Sequence, residues 1–518
     1  MKKYVFYPIL FSINPVLLLY AVNSSNVPLS LLFPIVPFIL IAILGIMWLL
    51  NKWLKDIHRV GFIVFVFSFW FFYFVPIKIW VTNLEIVPKS SASDWIIFAI
   101  WCAVFLLLSS RLLWRKVSSP ETITMFLNYF CMILISVSVV RISIDLIPRY
   151  LYRVDVSSIV QTIPGQDNVS PYPDIYYIIL DGYARDDILK ELYHYNNSEF
   201  IMELSSRGFF IASQSQSNYV QTVLSLASSL NMEYLSGSHG TKPNQGRLLA
   251  MINQSKSRIL LSHFGYNFVA FSTGYSATDL TDADYYFSPS NLQKNHDLEA
   301  LILLNSIVDP FIQLGWINAP ITKYSTGQDR VDEIFNSLEM TVPLINGPKF
   351  VFAHVIAPHP PFIFDQNGPI SPNEKLILQG ADTFQGSRED YLNGYISDLT
   401  YINNRVIKTI DGILSNSATK PVIIIQADHG PDAYVDWNNI ENNCFKERFS
   451  ILNAFYFPKE MPTQIPMDIT PVNTFAIIFN KIFNTNFYIQ NNYEYFATWE
   501  NSFPFTNVTE LSQTCSLK

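Results

Sequence analysis

Hydrophobic positions fall into two regimes along the chain. Five long apolar segments occupy roughly 4–22, 29–50, 60–81, 95–113 and 123–140, each near the ~17–25 residues that a membrane span requires. Pro8, Pro15, Pro34, Pro37 and Pro76 fall within them and are tolerated in such helices. Basic residues sit at the amino end (Lys2, Lys3) and in alternate connectors (Lys52, Lys55 and Arg59, then Arg111, Arg115 and Lys116). The intervening connectors carry only Lys89. The excess of positive charge on the cytoplasmic side therefore predicts five spans, an amino terminus inside and the rest of the chain outside. Lys2 and Lys3 before the first segment also fit a cleaved leader, but four further spans favour an anchor.

From about residue 150 the pattern shortens, and Ser, Asn, Asp and Tyr become frequent. Strand-like runs appear at Ile175–Leu180, 209–212, 268–271, 350–356 and Val422–Gln426, with helical stretches between them at 245–264, 298–308 and 387–414. In the last of these, Tyr391, Tyr395, Leu399, Ile402, Val406, Ile410 and Ile413 recur at spacings of three and four and make one apolar face. The alternation predicts one large doubly wound α/β domain. The expected division is a membrane domain at 1–148 and an extracytoplasmic domain at 149–518, with 157–171 as a short tether. The closing stretch 491–518 is polar and aromatic and has no assignment.

Composition sharpens this picture. Of 518 residues, 50% are hydrophobic and only 15% charged, which a wholly soluble chain rarely shows. The net charge of -8 and the lack of a basic block exclude nucleic acid as a partner. Cys102 and Cys131 lie in apolar spans. Cys444 and Cys515 are distant in sequence, and their pairing stays open. The spans carry no paired intramembrane charges, which sets a transporter aside.

The chemistry gathers at strand ends. Ile175–Leu180 is apolar on both faces and stops at Asp181-Gly182, and Val422–Gln426 stops shortly before Asp428-His429-Gly430. Open α/β sheets place ligands at the carboxyl ends of their strands. One Asp before Gly is what a turn uses. Two such ends in one sheet point instead to a divalent metal held by Asp181, Asp428 and His429. Between them lies Ser217–Ser228, in which Thr222 falls near a helix amino terminus. There it is either an N-cap or, with its hydroxyl on the metal, a nucleophile. FVFAHVIAPHPPF supplies His354, within a strand, as either a core histidine or a substrate contact. It also supplies His359, in a proline-stiffened loop placed to touch substrate.

A strand Asp, a helix-opening Thr, a His-bearing loop and a late Asp-His-Gly strand, in this order, resemble the sulfatase branch of the alkaline phosphatase superfamily. Five spans ahead of such a domain are similar, more narrowly, to lipoteichoic acid synthases and phosphoethanolamine transferases. The resemblance implies an alkaline-phosphatase-like sheet and one divalent ion, zinc or manganese, on Asp181, Thr222, Asp428 and His429. It also implies substrate contact by His359, an inner-membrane location and a membrane lipid or envelope glycan as substrate. Two departures stand out: those transferases use Glu where this chain has Asp181, and no C/S-x-P/A-x-R motif exists. Ser225-Leu226-Ala227-Ser228-Ser229 comes nearest and ends in Ser. The leading expectation is a metal-dependent membrane enzyme that cleaves or transfers a phosphate ester through phosphothreonine. The alternatives are a sulfuric or phosphoric ester hydrolase using water, and an inactive scaffold.

Overall fold

The computed structural model describes residues 4–23, 29–84, 91–114, 120–152, 154, 172–235, 245–289, 297–317, 323–370, 384, 386–440, 443–459, 461, 464–498 and 505–516. The expected tether at 157–171 lies outside them, as do Lys2, Lys3, Lys89, Arg115 and Lys116. The chain forms two compact units, Met1–Ile147 with Lys294–Thr322, and Pro148–Gln293 with Lys323–Lys518.

The second unit is organised on a seven-stranded sheet. Its strands are β1 (Ile175–Leu180), β2 (Phe210–Ile211), β3 (Asn267–Phe271), β4 (Tyr285–Phe287), β5 (Lys349–Val355), β6 (Val422–Gln426) and β7 (Asn453–Tyr456). They lie in the order β2-β7-β6-β1-β5-β3-β4. Pairing is parallel from β6 to β4 and antiparallel at β7 and β2. The continuous apolar run of β1 follows from its central place, because both of its faces are covered. Tyr176, Ile178 and Leu180 enter one core with Tyr395, Leu399 and Ile402, while Ile175, Tyr177 and Ile179 enter the other with Leu224, Leu226 and Phe475. Helix α7 (Thr222–Ser229) serves the second face, and α10 (Arg388–Asn416), opened by a Ser387/Asp390 capping box, serves the first. The helical stretch expected at 245–264 is two helices, Gln245–Asn253 and Lys256–His263, because Ser255 caps the second through Arg258 N. The edge strand β4 and the antiparallel β7 were not expected. A short helix α11 (Phe445–Phe449) is tied to the carboxyl end by a Cys444–Cys515 disulfide.

The first unit corrects the expectation of five spans. Its helices are α1 (Tyr7–Val22), α2 (Leu32–Leu54), α3 (Ile57–Phe72), α4 (Phe74–Asn83), α5 (Ser91–Trp114) and α6 (Pro120–Leu151). Among the described residues three are long and apolar enough to cross a membrane, or up to four if α3 and α4 count as one broken span. Helix α1 has 16 residues, which is about 24 Å of rise against a core of about 30 Å. The segment expected at 60–81 breaks at Tyr73, where α3 and α4 meet at 54°. Pro76 explains the break, since its ring collides with the carbonyl four residues back, that of Phe72. Two helices from the later chain, α8 (Asp297–Leu304) and α9 (Asp309–Gln313), complete this unit.

The sheet's amino-terminal end is pinned by one buried ion pair, Lys349 Nζ to Asp174 Oδ2 at 2.6 Å. Lys349 is 2% exposed. Lys349→Ala leaves Asp174 buried without its partner, and should lower stability by about 3–5 kcal/mol. Thermal unfolding of the purified protein in detergent, followed by circular dichroism, would read this as a marked fall in midpoint. An unchanged midpoint would show the pair to be dispensable.

Candidate metal centre

The site begins with a register. Ile175 lies opposite Val422 and Ile179 opposite Gln426, so the residues that follow, Asp181 and Asp428, leave adjacent parallel strands side by side. On the other flank, the ladder of β1 and β5 sets Ile179 opposite His354 and continues through Asp181 N to Val355 O at 3.0 Å.

Three loops then close on the two carboxylates. Gly182 N donates to Asp428 Oδ1 at 3.2 Å, and Ser225 Oγ, one turn along α7 from Thr222, donates to Asp428 O at 2.7 Å. His429 Nδ1 donates to Gly430 O at 3.0 Å. A carbonyl only accepts, so the proton sits on Nδ1 and Nε2 carries the lone pair that accepts from the Thr222 hydroxyl. That Nε2 lies 3.6 Å from Asp181 Oδ1, 3.3 Å from Asp428 Oδ2 and 3.1 Å from Thr222 Oγ1. Gly430 has to be glycine, because a Cβ there would meet the Glu447 carbonyl oxygen at 2.0 Å.

A divalent cation fits this donor set. One ligand atom from each of Asp181, Asp428 and His429 lies within 4.8 Å of the others, and all three residues are buried. Asp181 Oδ1 and Asp428 Oδ2 are buried without a hydrogen-bond partner, an arrangement that is costly for carboxylates unless a cation completes it. A tetrahedral zinc site with bonds of about 2.0–2.2 Å has ligand-to-ligand edges of about 3.3–3.6 Å, close to the separations around His429 Nε2. Burial, followed by the positive charge of Arg448, holds the His429 imidazole well below its ordinary range. It is therefore the neutral form a metal needs. Burial and then the charge of Asp181 push Asp428 up to about 6. Burial also pushes Asp181 up, but His359, His354 and His429 outweigh it and hold that carboxyl below the usual range.

Thr222 is the first residue of α7 and Gln221 is its N-cap, so the Thr222 hydroxyl is not spent on capping. His354 is fully buried; Nδ1 meets Thr278 Oγ1 at 2.9 Å, and Nε2 approaches Asp181 Oδ2 at 3.3 Å without hydrogen-bond alignment. His359 is half-buried, donates from Nδ1 to Pro360 O at 2.8 Å, and has its ring 6.0 Å from that of His429.

Sequence reasoning missed three contributors. Ser225 was within reach, as it lies three residues after Thr222 on one helix face. Thr278 and Arg448 had no local signal. Arg448 is 2% exposed, donates from Nε to Val220 O at 2.8 Å and from Nη1 to Gly430 O at 2.6 Å, and stacks on Trp437. It thereby joins the loop leading to Thr222 to the loop leaving His429.

No family model and no curated protein matches the chain. Among solved structures it is similar to the C-terminal periplasmic domain of EcEptC from Escherichia coli in complex with Zn, with 9% identity and a TM-score of 0.43, covering 67% of this chain and 95% of that one. It is similar also to the integral membrane lipooligosaccharide phosphoethanolamine transferase A from Neisseria meningitidis, with 12% identity and a TM-score of 0.38 over 92% and 95% of the two chains. A third likeness is to BT1596, a 2-O GAG sulfatase, with 12% identity and a TM-score of 0.38 over 64% and 73%. The likeness is one of fold. At these identities the chemistry has to be read from this chain's own residues.

The pH dependence of metal binding follows from Asp428. Below about 6 a cation must displace its proton, so apparent zinc affinity should fall about tenfold per pH unit there and stay flat above. Burial, followed by the charge of Arg448, holds His429 well below its ordinary range, so Asp428 sets the slope. Chelator competition between pH 8 and pH 5 measures this, and a flat affinity down to pH 5 would contradict it.

Proposed function

We propose that this chain is a membrane-bound, metal-dependent enzyme that cleaves or transfers a phosphate-ester head group through a phosphothreonine intermediate on Thr222. The observation that carries the reading is the Thr222 hydroxyl at the amino end of α7, free of capping, which donates to Nε2 of His429 at 3.1 Å and lies beside two buried carboxylate oxygens without hydrogen-bond partners. Asp181, Asp428, His429 and Thr222 would hold the ion. The donor set of one imidazole and three oxygens at tetrahedral spacing favours zinc over manganese. Bound there, the ion supplies Lewis-acid charge to the phosphoryl oxygens and lowers the pKa of the threonine hydroxyl.

The chain's own groups do the rest. Thr222 Oγ1, its proton released to water, attacks phosphorus in line with the departing alcohol, forming the P–O bond to threonine as the P–O bond to the alcohol breaks. The first N–H groups of α7 have no helical acceptors and would donate to the phosphoryl oxygens. His359 keeps its Nδ1 proton on Pro360 O, so Nε2 is the nitrogen that can hand a proton to the leaving alcohol. An acceptor hydroxyl or water then gives its proton to His359 Nε2, attacks the phosphothreonine and breaks its P–O bond, freeing Thr222. Threonine at this place, with no cysteine or serine in a formylglycine motif, favours phosphoryl over sulfuryl chemistry.

The apolar helices of residues 1–148 make the protein multi-pass, and we place the catalytic domain, 149–518, outside the cytoplasm. The Cys444–Cys515 disulfide supports that side, since structural disulfides persist in oxidising compartments. A site held there meets its substrate at the membrane surface, as lipid head groups or envelope glycans present it.

Thr222→Ala should lower turnover of a phospholipid head-group donor by roughly 10³-fold or more while zinc stays bound on the three remaining ligands. Wild-type enzyme quenched during turnover should carry the head-group phosphate on the Thr222 peptide by mass spectrometry. Full activity in Thr222→Ala would rule out the covalent route.

A further inference from the structure

The chain passes between its two units three times, at 147/148, 293/294 and 322/323, because Lys294–Thr322 belongs with the amino-terminal helices. The described part of this excursion docks at one end of those helices. Leu298 and Ile302 of α8 pack with Val16 and Tyr20 near the end of α1 and Ile35 near the start of α2, and Ile142 near the end of α6 adjoins them. Ile307 packs on Phe74, Val75 and Ile97, and its N–H donates to Phe71 O at 2.8 Å, filling an acceptor at the break between α3 and α4. Asp309, 5% exposed, receives Lys78 Nζ at 2.9 Å, and Asp94 lies 3.7 Å from the same ammonium. Phe311 packs edge-on against Trp95 and Phe98 in the first turns of α5.

The contacts to α1, α2 and α5 are at the helix ends that flank the connectors without a basic excess, 23–28 and 84–90. Those to α3 and α4 are at the break between these two helices, and Ile142 lies toward the end where α6 leaves for the second unit. After α9 the chain turns at Gly315, whose φ of +71° suits glycine, and presents Leu314, Trp316 and Ile317 outward. Their exposures are 46%, 72% and 41%. Trp316 remains anchored by its N–H to Phe311 O at 3.0 Å, and its ring lies 6.0 Å from that of Phe311, in the cluster that includes Trp95. Exposed apolar side chains are ordinary on the flanks of membrane helices. Here they continue past the helix ends on a segment that the sequence pattern places in the α/β domain.

We propose that residues 297–317 are a membrane-interface element of the helical unit, with Leu314, Trp316 and Ile317 set among the phospholipid head groups of the leaflet at that end. Tryptophan with an apolar body and a polar N–H is suited to that zone. The lipid surface is what covers the patch, because the patch is continuous with the rim of the spans. The bend at Tyr73 and the Lys78–Asp309 pair then serve as the seat that fixes the element against the spans.

The test uses the full chain in vesicles of phosphatidylcholine and phosphatidylglycerol, either plain or brominated on the acyl chain next to the head group. The chain has ten tryptophans, so the emission of Trp316 is taken as the difference between the parent and Trp316→Phe, a conservative change at an exposed position. In brominated vesicles this difference signal should lose most of its intensity, and aqueous iodide should barely reduce it. Quenching by iodide without quenching by brominated lipid would place Trp316 in water and overturn the proposal. Resistance to both quenchers would place it against protein, in a second copy or a partner, and would overturn it equally. Neither result depends on the reaction catalysed at Thr222.

Discussion

Two carboxylates buried one strand apart are the constraint from which the catalytic unit takes its form. The β1–β6 register sets Asp181 beside Asp428, and adjacent strands are only about 4.7–4.9 Å apart. Two negative charges cannot both be held there at neutral pH unless positive charge is brought to them. The protein answers with one neutral imidazole whose lone pair faces both, with the backbone N–H of Gly182 on Asp428, and with a donor set that a divalent cation completes. The upward push on Asp428 is what that arrangement does when no cation offsets it.

Holding such a site requires rigid loops, and the means are distributed. Ser225 fastens α7 to the Asp428 carbonyl, so the helix that presents Thr222 is set by the strand that presents the carboxylate. Arg448 bridges Val220 and Gly430 from beneath, and its guanidinium stays satisfied by carbonyls and the Trp437 face rather than by an acid. The Cys444–Cys515 link holds the helix that carries Arg448 against the closing segment. Burial, and then the charge of Arg448, favour the unprotonated form of His429, which is the state the metal chemistry uses.

The helical unit follows a different logic, in which breaks matter as much as lengths. Pro76 divides one apolar stretch into α3 and α4, and the freed Phe71 carbonyl is taken by Ile307 from far along the chain. Lys78, an ammonium on an otherwise apolar helix, is matched by Asp309 of the same excursion. Polar groups exposed by an interrupted helix are thus met by protein, as a low-dielectric surrounding demands.

Much of this was legible in the residues alone. Apolar length marked the membrane region, unbroken apolar runs marked the strands buried on both faces, and an Asp at each of two strand ends marked the site. These signals are local, because burial and chain geometry act on neighbouring residues. The number of spans was not legible, since hydropathy counts apolar residues and does not register the short rise of α1 or the collision between Pro76 and the Phe72 carbonyl. The edge strand β4 and the antiparallel β7 escaped because, at three and four residues, they are too short for a period to show. Whether Thr222 capped its helix or faced His429 was decided only by where α7 docks. The roles of Arg448 and Thr278, and the membership of residues 297–317 in the helical unit, were likewise set by contacts between segments that are not neighbours in sequence. Composition and periodicity carry no term for such contacts, and only the folded chain supplies them.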